Sequence, residues 1–433
     1  MLRLTTTSGE GEVSVITTRI RRACFAVLVL LLCVNGPHLR AANGPAPLLA
    51  SGHPVDWWFV FKFNASAFAG CGGSGADPRQ CPFGGDVQPY NFGQQFVYAS
   101  QEAPTLQRGQ GCVGETVTDP VGATFDQIYN NSSLFYVIWN DQFYDDPDIT
   151  GCGEACKSPW GHSKGMLVWN SDGEGFVMQV TTPSWPAAGN RNNPRRNDGN
   201  TLGCVIDNNV KVSQHAFALK LSQNDVVSVL NGLKNASIVT DPTNRQIVRN
   251  GGPSAIMALV SGLGSRVKTS QATVATLSTG VRLISKPSRL HVPPWQMVSA
   301  LLGGVSLRTA TWWAKPQIFS TITSTKIACW DDSLGSPGAV RIALTGQWEG
   351  QSIGLRGGLG TDRNHAKIGV STSGGQRLAI FGDLNQQGLI SGSNCASSQN
   401  GRGGLFYVVQ NAEIADSIAA LIDGDTAPTR ARR

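Results

Sequence analysis

Gly161-His162-Ser163-Lys164-Gly165-Met166-Leu167-Val168-Trp169-Asn170-Ser171-Asp172-Gly173-Glu174-Gly175-Phe176-Val177-Met178-Gln179-Val180-Thr181 reads as one hairpin that begins on a pair of chemical groups. An apolar strand runs to Trp169, Ser171-Asp172-Gly173 is turn chemistry, and a second apolar strand returns from Gly175 to Thr181. Alternate side chains of a strand share a face, so His162 and Lys164 project together, an imidazole beside a fixed ammonium. The pattern recurs about two hundred positions later as Asn364-His365-Ala366-Lys367-Ile368, again at the head of strand-like sequence, Ile368 to Ile380. One such pair suits a phosphate-sized anion; two facing pairs have the parts of a phosphodiesterase.

Working outward, the chain looks strand-rich. Its 433 residues suffice for one large or two medium domains, and 41% hydrophobic residues exclude a mostly disordered protein. Charged residues are only 15%, while glycine reaches 51, which favours strands and turns over long charged helices. Val55 to Phe63, Leu134 to Trp139 and Val340 to Thr345 are aromatic or β-branched and read as strands. Gln223 to Leu233 reads as a helix with Val226, Val227, Leu230 and Leu233 on one apolar face, and Glu413 to Ile422 as a second helix. The expected class is therefore α+β, a mixed fold.

Charge is no argument for nucleic acid. Residues 1–42 carry Arg3, Arg19, Arg21, Arg22 and Arg40 against Glu10 and Glu12, and the tail carries Arg430, Arg432 and Arg433. Those two ends account for the whole formal +6, leaving the body near neutral at pH 7. The first 42 residues read as a signal peptide: Arg19-Ile20-Arg21-Arg22 precedes the twelve-residue apolar run Ala23 to Val34, too short to span a bilayer, with Ala41 and Ala42 as a cleavage region. The later sequence has no membrane-length apolar run, so no membrane span is expected in the mature chain.

Removal of the leader takes Cys24 and Cys33 and leaves eight cysteines, an even number that suits disulfides in an oxidising compartment, with 105 pairings open. Gly70 to Gly85 looks like a disulfide-tied loop. Cys152 and Cys156 lack a second close Cys/His pair, so no metal and no cofactor is expected. Asn64, Asn130, Asn131 and Asn235 open glycosylation sequons, meaningful only in a eukaryotic host.

Seven stretches then occur in an order that resembles the deoxyribonuclease II family. They are Gly52-His53-Pro54-Val55-Asp56-Trp57-Trp58, Ile138-Trp139-Asn140-Asp141-Gln142, Gly161 to Gly165, Asn200-Thr201-Leu202-Gly203-Cys204-Val205, Asn364-His365-Ala366-Lys367, Gly382-Asp383-Leu384-Asn385 and Arg402-Gly403-Gly404. They cover roughly Gly52 to Leu421. That family resembles the phospholipase D superfamily, and the resemblance implies two phospholipase D-like halves, each a central sheet flanked by helices, about a pseudo-twofold axis. The halves are expected at 43–240 and 241–425, followed by a basic tail at 426–433. The implied activity is acid, metal-independent cleavage of double-stranded DNA to 3′-phosphate and 5′-hydroxyl ends, in a lysosomal, phagosomal or extracellular setting; a homodimer clamping duplex DNA is also allowed. The family has cysteines shortly before Pro-Val-Asp-Trp and after Arg-Gly-Gly that this chain lacks. Cys204 then pairs differently or stays free, and Cys395 is the replacement partner for Cys329.

The roles follow from what these residue types do without a metal. Lys164 and Lys367 supply positive charge, a neutral imidazole attacks phosphorus to give a phosphohistidine, and a protonated imidazole gives its proton to the departing 5′-oxygen. By analogy His162 is the nucleophile and His365 the general acid, although the near-symmetric motifs leave the reverse assignment open. Asn385 and Arg402 are second-rank binding residues, an amide and a bidentate guanidinium. Arg191, Arg195, Arg196 and Trp185 lie in the polar stretch Pro183 to Asn200, read as an exposed loop suited to DNA backbone contact and stacking. His38, His215 and His291 read as surface or structural, and His53 and Asp56 as belonging first to a core strand segment. Two other functions use the same residues: a lipid phosphodiesterase of the superfamily, and a secreted DNA-binding protein with a degenerate site.

Overall fold

The computed structural model describes residues 44–429 apart from 72–74, 78, 84–93, 115, 130, 144–154, 184, 186–211, 314–317, 387–389 and 391. The signal peptide expected over 1–42, Arg430, Arg432 and Arg433, the loop arginines Arg191, Arg195 and Arg196, and Cys152 and Cys204 lie outside the described residues.

Strand-forming sequence dominates, as composition implies, and it is gathered into two main sheets. A short antiparallel pair, β1 (Leu48–Ala50) and β2 (His53–Pro54), precedes them. The first sheet takes β3 (Trp57–Asn64), β4 (Gln94–Ser100), β5 (Gln107–Arg108), β6 (Phe135–Asn140), β7 (Lys164–Trp169), β8 (Gly175–Val180), β9 (Gln214–Leu221) and β10 (Val248–Arg249). Their spatial order is β10-β6-β7-β8-β9-β3-β4-β5, antiparallel throughout.

The second sheet takes β11 (Thr273–Thr276), β12 (Arg282–Lys286), β13 (Leu307–Ala310) and β14 (Val340–Ile342). After a separate hairpin, β15 (Thr345–Trp348) with β16 (Gln351–Gly354), it is completed by β17 (Ile368–Ser371), β18 (Leu378–Gly382) and β19 (Gly404–Gln410). The order is β11-β12-β19-β18-β17-β13-β14, with only β13 and β14 parallel. Among the described residues, helices α1 (Pro120–Tyr129), α2 (Gln223–Asn235), α3 (Ser254–Ser261), α4 (Pro294–Leu301) and α5 (Ala412–Leu421) complete the mixed α+β fold.

Period-two alternation explains how the sheets stack. Along β3, Phe59 faces the second sheet and stacks on Phe381 of β18 at 4.5 Å between ring centroids. Phe217 of β9 stacks on the same ring at 4.6 Å and tilts against Tyr407 of β19 at 5.6 Å. The neighbouring Trp58 points the other way, its Nε1 donating to Thr124 Oγ1 of α1 at 3.0 Å. Each buried ring removes about 150–250 Å² from water, so this aromatic seam is a main source of cohesion between the sheets. On the far face of the second sheet Trp295 of α4 meets Phe406 edge-on at 5.3 Å.

The hairpin expected from Gly161 to Thr181 is present as β7 and β8, and the stretch Ile368 to Ile380 divides into β17 and β18 around Ser373 and Gly374. In α2 a capping box of Ser222 and Asp225 starts the helix. Val226, Val229, Leu230 and Leu233 are buried, whereas Val227 is only partly so, because position 227 falls about 100° off the stripe set by 226, 230 and 233. The strand expected over Val340 to Thr345 ends at Ile342, and Thr345 opens the separate hairpin of β15 and β16. Helix α1 escaped the sequence reading: Pro120 opens it, and Asp119 Oδ1 accepts from Gly122 N at 2.9 Å.

Cys71 pairs with Cys81 inside the expected loop, and Cys329 pairs with Cys395. Cys112 and Cys156 are also disulfide-bonded. Asn64 is buried at the end of β3, so its sequon is closed to modification in the folded chain. Among the described residues no helix is long and apolar enough to cross a membrane.

Candidate active site

The two His-x-Lys motifs stand at the heads of β7 and β17, and the stacking of the sheets brings them into one buried centre. Each histidine is held by backbone carbonyls of the opposite sheet. His162 N donates to Gly403 O at 2.7 Å, and its Nδ1 lies 3.1 Å from Asp383 O. His365 N donates to Ser213 O at 2.7 Å, and its Nδ1 lies 2.8 Å from Thr181 O. The arrangement is reciprocal in detail. Ser213 and Gly403 immediately precede β9 and β19, while Thr181 and Asp383 immediately follow β8 and β18. A carbonyl only accepts, so each Nδ1 carries the proton and each Nε2 is left for chemistry.

Two glycines permit this closeness. A Cβ on Gly161 would stand 2.7 Å from Ala236 O, and one on Gly403 would stand 2.0 Å from the same carbonyl at the end of α2. Gly403→Ala should therefore displace the strand that holds His162 and cost about 1–3 kcal/mol in stability. Its melting temperature, set beside that of wild type, checks this; an unchanged value would mean that the close approach is absent.

The lysines differ. Lys164 Nζ donates to Asp141 Oδ1 at 2.6 Å, and Arg402 Nη2 donates to Asp141 Oδ2 at 2.7 Å, so one buried carboxylate takes two cations from opposite sheets. Lys367 Nζ donates to His365 O at 2.6 Å and lies 3.2 Å from His365 Nδ1, and among the described residues no carboxylate pairs with it. Burial alone would raise the Asp141 carboxyl, but Lys164, His162 and Arg402 outweigh it and hold the group ionised. Burial lowers Lys164 and Lys367, and lowers Lys367 much further. Of the two motif lysines, Lys367 is thus the one without a paired carboxylate among the described residues.

Both imidazoles are held well below their usual range. For His162 the causes are burial and then Lys164; for His365 they are burial, Lys367, then Lys164 and His162 itself. The mutual action of the two pairs means that they titrate as one coupled centre.

A hydrogen-bonded chain runs behind them. Gln179 Nε2 donates to Asp383 Oδ1 at 2.9 Å, and its Oε1 faces His215 Nε2 at 3.4 Å. His215 Nδ1 in turn accepts from Lys367 N at 3.1 Å. His215 is accordingly neutral, with its proton on Nε2, and structural as its lack of a patterned partner suggested, yet it touches the second motif directly.

Burial raises the Asp383 carboxyl to about 7. The folded chain keeps a proton there that the unfolded chain releases near pH 4, so this group's support for folding is complete below pH 4. That support is lost as pH rises to about 7, an effect on the order of 4 kcal/mol. Relative to wild type, Asp383→Asn should gain in melting temperature between about pH 4.5 and 7.5. A constant difference would contradict the shift.

The remaining site residues found in the sequence fall differently. Arg402 does not turn toward an open surface: Nε donates to Trp160 O and Nη2 to Gly161 O, both at 2.6 Å, besides its bond to Asp141. Asn385 is buried, its N donating to Gln399 Oε1 at 3.2 Å, and its Oδ1 has no hydrogen-bond partner among the described residues. Trp185 is not on an exposed face. It is 0% exposed and packs 5.2 Å from Phe125 of α1, because the apolar ring has a pocket under α1 to fill. Asp141, Gln179 and His215 are the residues the sequence reading left without a site role. The signal for Asp141 was available, since β6 is next to β7 and a buried lysine calls for a carboxylate. Among the described residues no three His, Cys, Asp or Glu side chains converge as ligands for a metal ion.

The fold is thus a two-sheet α+β protein in which two imidazole–ammonium pairs lie in one buried centre, close enough to act on each other's charge. The chain belongs to the deoxyribonuclease II family, which it matches over residues 47–425. Deoxyribonuclease-2-alpha of Rattus norvegicus is 30% identical over 162 residues, and that of Sus scrofa 29% over 161. The matched part spans only 39% and 38% of those relatives, and 36% of this chain. Cell-death-related nuclease 7 of Caenorhabditis elegans is 23% identical over 371 residues, 83% of this chain and 82% of that protein.

Proposed function

We propose that this chain is a metal-independent acid endonuclease that hydrolyses double-stranded DNA through a phosphohistidine, leaving 3′-phosphate and 5′-hydroxyl ends. The observation that carries the reading is the reciprocal grip on Nδ1 of the two histidines, which among the described residues leaves Nε2 of each without a hydrogen bond. His162 Nε2 attacks phosphorus, and the 5′-oxygen leaves with the proton of His365 Nε2. Water, deprotonated by the now neutral His365, then attacks the phosphohistidine; the P–N bond breaks and the 3′-phosphate is released. Lys367, whose ammonium lacks a carboxylate, takes the charge of the scissile phosphate, and Lys164 is kept charged by Asp141. Family membership and the relatives named as nucleases favour DNA over lipid. The reciprocal hydrogen bonds favour two phospholipase D-like halves, 43–240 and 241–425, sharing the site about a pseudo-twofold axis. Disulfides and the leader sequence favour the secretory pathway, ending in a lysosome, a phagosome or outside the cell.

Plasmid digestion near pH 5 in chelator, with end-group analysis, tests the reading. Nicked and linear products with 3′-phosphates are expected; 5′-phosphate ends or dependence on added metal would sink it. The rate should follow a bell against pH, since one imidazole must be neutral and the other charged. Because both are lowered, the optimum should lie below about 6.5, the ordinary imidazole value. A flat profile from pH 5 to 8 is the contrary result.

A further inference from the structure

A second buried lysine, outside both motifs, has no carboxylate partner among the described residues. Lys286 ends β12, is fully buried, and directs Nζ at four main-chain carbonyls: Leu290 O at 2.6 Å, Asn400 O at 2.8 Å, Arg402 O at 3.0 Å and Pro287 O at 3.2 Å. Burying an ammonium is expensive, and an apolar side chain of the same length would fill the space at less cost. The cost shows in its titration: burial brings the group down to about 7. What the ammonium does, and a methionine could not, is fix the carbonyls of 400 and 402 against those of 287 and 290.

The strap so fixed is the one that grips the first motif. Gly401 O accepts from Ser158 Oγ at 2.7 Å, Arg402 takes Trp160 O, Gly161 O and Asp141, and Gly403 O accepts from His162 N. Lys286 touches none of the reacting groups. We propose that Lys286 is a positioning residue for His162, setting the place of its imidazole through the Asn400–Gly403 strap. The inference rests on the reading that His162 acts at phosphorus, where a misplacement of about 1 Å can cost on the order of 100-fold in rate.

Lys286→Met in the full chain is the test, read two ways. In plasmid cleavage kcat should fall about 10- to 100-fold with KM within about twofold, the signature of misplacement rather than lost substrate contact. In nitrogen NMR the His162 ring signals should move by more than those of His365, which feel the change only through His162. Combined with Arg402→Lys, the double variant should be little worse than the poorer single one, because both act through one strap. Should Lys286→Met not fold, Lys286→Gln, which keeps two N–H donors, is read by the same criteria. Wild-type kcat with unmoved His162 signals, equal shifts at both histidines, or fully multiplicative losses would overturn the proposal. A wild-type chain that does not cut DNA would overturn the nuclease reading alone, since the His162 signals still report on the strap.

Discussion

Alanine in place of either His162 or His365 should lower DNA cleavage near pH 5 by about two to four orders of magnitude or more, with neither variant retaining a pathway through the remaining pair. On the proposed mechanism the two imidazoles perform different halves of one reaction, and each loses its counterpart when the other is removed. The fold should survive. Each truncation leaves one carbonyl, Asp383 O or Thr181 O, short of its donor, at about 1–3 kcal/mol, a modest part of a domain's stability. Circular dichroism and a melting curve establish that the variants fold, and single-turnover cleavage then reads the loss. Activity within tenfold of wild type in either variant would mean that the pair is not one site.

The second large effect is expected at Asp141. Asp141→Ala would leave Lys164 and Arg402 as uncompensated cations in a dry interior, which costs about 3–5 kcal/mol, enough to unfold a marginal domain at 37 °C. Asp141→Asn keeps the shape but not the charge and should be intermediate. The folded-state value of Asp141 lies below the unfolded one. Its contribution is therefore whole above about pH 4 and is lost only as pH falls through the folded value, so it is still present at the proposed working pH near 5. Urea midpoints at that pH measure the effect. A shift worth less than about 1 kcal/mol would show that the carboxylate is a surface-like pair and not the junction between sheets.

The parts of this arrangement that were legible in the sequence are those set by local rules. A period-two strand puts His162 beside Lys164, and the Ser171-Asp172-Gly173 turn returns β8 along β7. Aromatic alternation in β3 announces a strand buried on both faces. What stayed illegible depends on register between strands distant in sequence. Nothing near Thr181 or Asp383 marks its carbonyl as the acceptor for a histidine some two hundred residues away, because a carbonyl has no side-chain signature. Arg402 stood out by its neighbours Gly403 and Gly404, yet composition cannot say whether a guanidinium meets phosphate or three protein acceptors. Trp185 was misplaced for a related reason: the polar residues that follow it suggested an exposed loop, while the ring itself found α1.

The asymmetry between the pairs bears on the assignment of roles. Lys164 is matched by Asp141, whose charge favours protonation of His162, so it is burial and the neighbouring cations that outweigh it and keep that imidazole neutral, as the proposed attack needs. Lys367 has no such partner, and the phosphate that neutralises it would relieve the repulsion on His365 and let it hold its proton. Substrate binding would thus raise the affinity of the general acid for the proton it donates.

Trapping the phosphorylated enzyme tests this account most directly. The chain is mixed with labelled DNA near pH 5, quenched in base where phosphohistidine survives, and digested to locate the label. The account predicts one labelled peptide, carrying phosphate on His162. Label on His365 would reverse the two roles, and label on neither histidine, under conditions where DNA is cut, would contradict the shared-site mechanism itself.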